Sequence, residues 1–209
     1  GSASRAGANI VVPLRQDAFW TAPPTATNLT DLLAWTDGAC GDQLELFADG
    51  AAPVNGALRD LHRYLAGSWT SPAGTPTFTS PLGTSSEERP CRQLHVIAVI
   101  ASDDTCDASG DAAAAASALN TGFTKDGIDW GVRVHVVNLG GATQADAIAA
   151  AGGTGTAAVA GNETQLVATI GGIVGATLPG ETCDNLDNDC NGCTDEGYPH
   201  FANVDQTCC

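Results

Sequence analysis

The chain has 209 residues, enough for one substantial α/β domain and an appendage. Its formal net charge is −16, with only eight Lys and Arg. That argues against nucleic acid or an anionic membrane surface as a partner, since both demand a basic patch.

Residues 9–14 (NIVVPL) are β-branched and apolar, and predict a buried strand with a proline near its end. Residues 17–42 are loop-rich around Pro23 and Pro24, with a helical turn over 29–35. A short strand is predicted over 44–47 and a turn over 49–53. Pro53 suits the first turn of the helix predicted for 54–66, where Val54, Leu58, Leu61 and Leu65 make an apolar face. Ser, Thr, Pro and Gly dominate 67–90, which reads as a long surface loop.

Residues 94–101 (LHVIAVIA) are apolar without alternation, as expected of a central parallel strand covered on both faces. Asp103 and Asp104 follow at its carboxyl end. An alanine-rich helix over 111–123 leads to a strand over 132–137, a helix over 143–151 and an edge-like strand over 156–160. Asn162 is placed to cap a last helix reaching about residue 177, with Glu163 in its first turn. This rhythm predicts an α/β fold, a doubly wound and mostly parallel sheet flanked by helices. Ligands of such sheets sit at the carboxyl ends of strands, where Asp103 and Asp104 fall. No apolar run approaches the length of a membrane span, so no membrane insertion is expected.

Eight cysteines with no methionine point to a processed chain or fragment in an oxidising compartment. Cys40, Cys91, Cys106, Cys183, Cys190, Cys193, Cys208 and Cys209 are all disulfide candidates, and eight cysteines allow 105 pairings. Five of them lie in residues 181–209, with seven acids and no Lys or Arg. That tail has too few apolar residues for a core, so it must be stapled by disulfides and metal or docked on the domain. The chain therefore divides at residue 180, into a domain over 1–180 and a small tail over 181–209.

Within the tail, Asp187, Asp189, Asn191, Gly192 and Asp195 match the D-x-D-x-N-G-x-x-D spacing of a calcium loop. Hard cations need many oxygen ligands, and the glycine permits the sharp turn that aims them inward. Cys193 would add its backbone carbonyl. Position twelve is Tyr198 rather than glutamate, so the bidentate carboxylate is absent or comes from Glu196, Asp184 or elsewhere. A disulfide knot with solvated acids, and copper or zinc on free thiolates, are the competing readings. His62, His95, His135 and His200 are scattered. His95 and His135 read as packed or surface strand residues, and no nucleophile, phosphate-loop or triad pattern accompanies them.

Three stretches carry a resemblance: 49–61 (DGAAPVNGALRDL), 94–106 (LHVIAVIASDDTC) and 132–141 (VRVHVVNLGG), the last followed by a helix and AAGGT at 150–154. In this order they resemble a von Willebrand factor A-type domain whose N-terminal part is incomplete. The resemblance implies a surface magnesium site with Asp103, beside Asp104, as a ligand. The family's threonine position falls on Ala52, and D-x-S-x-S occurs nowhere, so the site is degenerate. The tail resembles the C-D-x-x-D-N-D-C-x-G-x-x-D-E repeat of bacterial surface proteins. That implies a Cys183–Cys190 bridge within the loop.

Together these features predict a secreted or cell-surface bacterial module for adhesion, similar to parts of pilus-tip adhesins. Its partners would be other extracellular proteins, and it would not be an enzyme. A structural subunit of a higher-order assembly, packing through the 67–90 loop, and a copper-binding surface protein are the alternatives.

Overall fold

A computed structural model describes residues 7–14, 28–36, 51–71, 74, 76–82, 93–108, 110–177, 180, 182, 183 and 188. The chain divides into two units, one of residues 1–83 and 104–115, the other of 84–103 and 116–209. The predicted strand at 44–47 lies outside the described residues.

The first unit holds helices α1 (Asn28–Ala34) and α2 (Val54–Ala66) and strands β1 (Ser68–Thr70) and β2 (Thr77–Thr79). On α2, Val54, Leu58 and Leu65 are buried at helical spacing, joined by Tyr64. Pro53 lends α2 no side-chain cap. The cap comes from Asp104, whose Oδ2 accepts the Asn55 N–H at 2.6 Å.

Two expectations fail in this unit. Residues 9–14 form no strand, and Val11 and Leu14 are exposed. Pro13 has no N–H to offer a ladder, and the Leu14 carbonyl instead accepts the Tyr64 hydroxyl at 3.3 Å. The predicted loop at 67–90 contains an antiparallel hairpin, β1 with β2. Trp69 pairs with Phe78 across it, their rings stacked 6.2 Å apart. Trp69 is buried and β1 packs on α2. The aromatic pair offsets the turn-prone composition around it.

In the second unit, β3 (Leu94–Ile100), β6 (Val132–Asn138) and β7 (Ala158–Val159) form a parallel sheet in the order β3-β6-β7. Helices α4 (Ala145–Ala151) and α5 (Glu163–Thr177) pack against it. Among the described residues β6, not β3, is the central strand. Its Val132, Val134 and Val136 are almost wholly buried on one face and Val137 on the other. β3 is only half-buried along most of its length, and its Val99 is exposed. Ala145, Ile148 and Ala149 are the buried contribution of α4. Helix α3 (Asp111–Thr121) starts in the first unit and ends in the second, burying Ala112, Ala115, Ala116 and Leu119 at helical spacing.

A second hairpin, β4 (Phe123–Lys125) with β5 (Ile128–Trp130), was not expected. Its turn is Asp126-Gly127, both at positive φ (52° and 81°), the backbone that asparagine-, aspartate- and glycine-glycine hairpins use. At the start of α5 the expected cap is present. Asn162 Oδ1 accepts the Gln165 N–H at 2.9 Å, and Gln165 Oε1 accepts the Gly161 N–H at 2.7 Å, close to a capping box. Among the described residues no helix is long and apolar enough to cross a membrane.

Gly141 approaches the backbone of Ala101 so closely that a Cβ there would overlap the Ala101 carbonyl oxygen. Backbone cannot swing aside, so Gly141→Ala should destabilise the sheet unit by at least about 2 kcal/mol. A methyl group added at Gly171 in α5 would meet nothing within 4 Å, so Gly171→Ala should stabilise by up to about 1 kcal/mol through helix propensity. Urea unfolding midpoints of the two variants should move in opposite directions.

Candidate functional site: the strand-end loops

The carboxyl ends of β3 and β6 are tied together by side chains. After β3 the chain reaches Asp103, whose Oδ2 accepts the Thr143 hydroxyl at 2.6 Å and whose Oδ1 accepts the Gln144 N–H at 2.8 Å. Gln144 is the residue at which α4 begins, so Asp103 stands as an anion at a helix start, where the dipole favours it. The Thr143 hydroxyl first, then the Gln144 N–H, hold the Asp103 carboxyl below the usual aspartate range.

Beside it, Asn138 closes the loop after β6. Its Oδ1 accepts the N–H of Gly140 at 2.9 Å and of Ala142 at 3.2 Å, and its amide donates to the Ala142 carbonyl at 2.7 Å. The Leu139 N–H donates to the Ile100 carbonyl at 2.9 Å. Leu139 and Val159 are left exposed at this edge, 41% and 67%. Sequence reasoning placed Asp103 here and passed over Asn138. A lone Asn before a Gly-Gly pair was the available signal, since Asn side chains readily bond backbone two residues on.

Asp104 does different work, in the first unit. Its Oδ1 accepts the N–H groups of Cys106 and Asp107, both at 2.8 Å, while Oδ2 holds Asn55 at the start of α2. Asn55, the buried polar residue of this unit, also donates its amide to Asp107 Oδ2 at 2.8 Å. Ala52 and Thr105 exchange two further bonds: the Ala52 N–H donates to Thr105 Oγ1, and the Thr105 N–H to the Ala52 carbonyl. Burial pushes the Asp104 carboxyl up, but the Asn55, Asp107, Cys106 and Val54 N–H groups outweigh it and hold it below the usual range.

These residues do not fit a magnesium ion. Magnesium demands near-octahedral oxygen donors, and both oxygens of Asp103 and of Asp104 already accept hydrogen bonds. Ala52 offers only backbone, and among the described residues no three His, Cys, Asp or Glu are grouped to hold a metal.

Of the candidate disulfide cysteines, Cys106 and Cys183 are described, and both are free thiols. The expected Cys183–Cys190 bridge involves Cys190, which lies outside the described residues. Cys183 is exposed at the head of the tail, where the Thr182 N–H donates to Asn188 Oδ1 at 2.8 Å. Cys106 lies in the loop knitted by Asp104. Cys40, Cys91, Cys190, Cys193, Cys208 and Cys209 lie outside the described residues, as do the calcium-loop residues Asp187, Asp189, Asn191, Asp195 and Glu196, with Asp184 and Tyr198.

The structure also joins two residues that looked unrelated. His95 on β3 and His135 on β6 stand with Nδ1 and Nε2 3.0 Å apart. Burial first, then the charges of His135 and Arg133, lowers the His95 pKa. Burial and then Arg133 lower that of His135. No sequence signal could pair them without the strand register.

Compared with protein-family models, with curated proteins and with solved structures, the chain matches none.

Because the folded pKa of Asp104 lies below its unfolded value of about 3.9, its stabilisation is present above that pH. It is lost as pH falls through the folded pKa. Asp104→Asn should cost about 1 kcal/mol at neutral pH, the scale of a lost helix cap, and should flatten the acid limb of stability below about pH 4. Urea titrations of both proteins across that range measure it.

Proposed function

We propose that this chain is an extracellular binding module of the von Willebrand factor A type, a doubly wound domain within a bacterial adhesive or pilus-tip assembly. It grips another secreted or surface protein through the loops at the carboxyl ends of its parallel strands. The observation that carries this reading is how those loops are built. Asp103 and Asn138 each lock a strand-end loop through their side chains, while Leu139 and Val159 stay open to solvent. A rim that is already ordered loses little entropy on docking, and its apolar residues supply contact area.

The grip is direct, without a bridging ion, because the magnesium ligand set is incomplete and its aspartate is engaged within the chain. The tail is a separate device. Asp187, Asp189, Asn191 and Asp195 offer hard oxygens, with the Cys193 carbonyl and Glu196 to complete the set, and calcium is the ion that such donors suit. Bound calcium would staple a segment too poor in apolar residues to fold by burial. No catalytic role belongs to this reading.

Beads coated with the whole chain should adhere to immobilised extracellular-matrix proteins or to bacterial cell surfaces. Leu139→Asp should abolish this, and EDTA should leave it intact. EDTA should nevertheless lower Tm, since calcium at about 100 times its Kd adds about 2.7 kcal/mol; Asp187→Asn should remove that increment. Adhesion that disappears in EDTA and returns with magnesium defeats the ion-free grip. Absence of adhesion to every such surface defeats the binding module itself.

A further inference from the structure

β3 and β6 run parallel in register, with His95 opposite Arg133 and Ile97 opposite His135. Side chains two residues apart on a strand share a face. His95, Ile97, Arg133 and His135 therefore occupy one face, with the two histidines on the diagonal. The rings lie 5.3 Å apart between centroids and 29° from parallel. Nδ1 of His95 and Nε2 of His135 lie 3.0 Å apart, half-buried rather than sealed from solvent.

Three further features bear on what this pair can hold. Both histidines sit inside seven-residue strands whose ladder sets their spacing, so bringing the nitrogens together costs no backbone reordering. Gln93 Oε1 lies 3.3 Å from His95 Nε2. If it takes the Nε2 proton, the Nδ1 lone pair faces His135, which is the outer-shell arrangement that fixes the tautomer of metal-binding histidines. The Arg133 guanidinium donates to the Gly153 carbonyl at 2.9 Å, which anchors its charge there.

From this geometry we propose that His95 and His135 form a bidentate site for a divalent first-row transition ion, Cu2+ foremost and Ni2+ next. An ion about 2.0–2.1 Å from each of two nitrogens 3.0 Å apart sees them at roughly a right angle. That is the bite of square-planar or octahedral coordination, not the wider angle of tetrahedral zinc, and copper leads the divalent series on nitrogen ligands. Water fills the remaining positions from the open side. Before binding, one proton lies between the facing nitrogens. On binding, it moves from His135 Nε2 to His135 Nδ1, so both imidazoles stay neutral and both facing lone pairs go to the metal. The site is independent of the strand-end loops and of the acidic tail.

Cu2+ is titrated into the whole chain with its free thiols alkylated and calcium in excess, and followed by electron paramagnetic resonance. One equivalent should bind with hyperfine coupling to two imidazole nitrogens. His95→Gln and His135→Gln should each abolish that two-nitrogen signal, while His62→Gln and His200→Gln leave it unchanged. Gln93→Ala should weaken binding by about tenfold. In the unaltered protein, substoichiometric Cu2+ should broaden the ring resonances of His95 and His135 before any others. This keeps the test decisive if a variant fails to fold. Two-nitrogen coupling that survives both substitutions, broadening that begins at other histidines, or no copper bound at equimolar concentration would each overturn the proposal.

Discussion

The in-register parallel pairing of β3 with β6 is the constraint on which the sheet unit depends. Seven residue pairs run from Leu94 with Val132 to Ile100 with Asn138. A slip of one residue would turn every side chain of one strand to the opposite face. The valines beneath α4 would lose their partners, and His95 would leave His135. The same register brings the end of β3 level with the end of β6. Only then can Asp103, three residues beyond one strand, reach Thr143 and Gln144, five and six residues beyond the other.

The two adjacent aspartates show how an acidic chain holds its loops together with few cations. Asp103 and Asp104 are neighbours in sequence, yet the chain passes from one unit to the other between them. One serves the start of α4 and the other the start of α2. In each case backbone N–H groups at a helix start supply the positive end of a dipole, in place of a Lys, an Arg or a metal. With eight Lys and Arg against 24 Asp and Glu, hydrogen bonding to N–H groups is the abundant means of satisfying a carboxylate. It also makes these two side chains poorer candidates for holding an ion, since each carboxylate oxygen already accepts a hydrogen bond within the chain.

Legibility in the sequence followed the kind of force at work. The bounds of helix α2 were readable because most of its apolar spacing coincides with burial, although Leu61 is only half-buried and Tyr64 joins the buried face. The Asn162 cap was readable because capping is local chemistry. The β1–β2 hairpin was hidden, since Thr- and Ser-rich strands on either side of a turn look like loop until Trp69 and Phe78 are known to face each other. The β4–β5 hairpin did have a local signal, Asp126-Gly127, which the reading passed over in going from the helix over 111–123 to the strand over 132–137. Residues 9–14 misled in the opposite direction: β-branched composition reports what a sheet would accept, not that a sheet is there to pair with.

By itself the sequence determined the alternation of the parallel strands with helices, the Asn162 cap, and the position of Asp103 at a strand end, because these follow from periodicity and from bonds spanning a few residues. Tertiary structure alone decided that β6 rather than β3 is central among the described strands, that Asp103 and Asp104 answer to different helices, and that His95 meets His135. Each of these depends on which residues, 21 to 49 apart in the chain, share a register or a loop. Such partners are chosen by the packing of whole elements, and a single strand or helix carries no record of them.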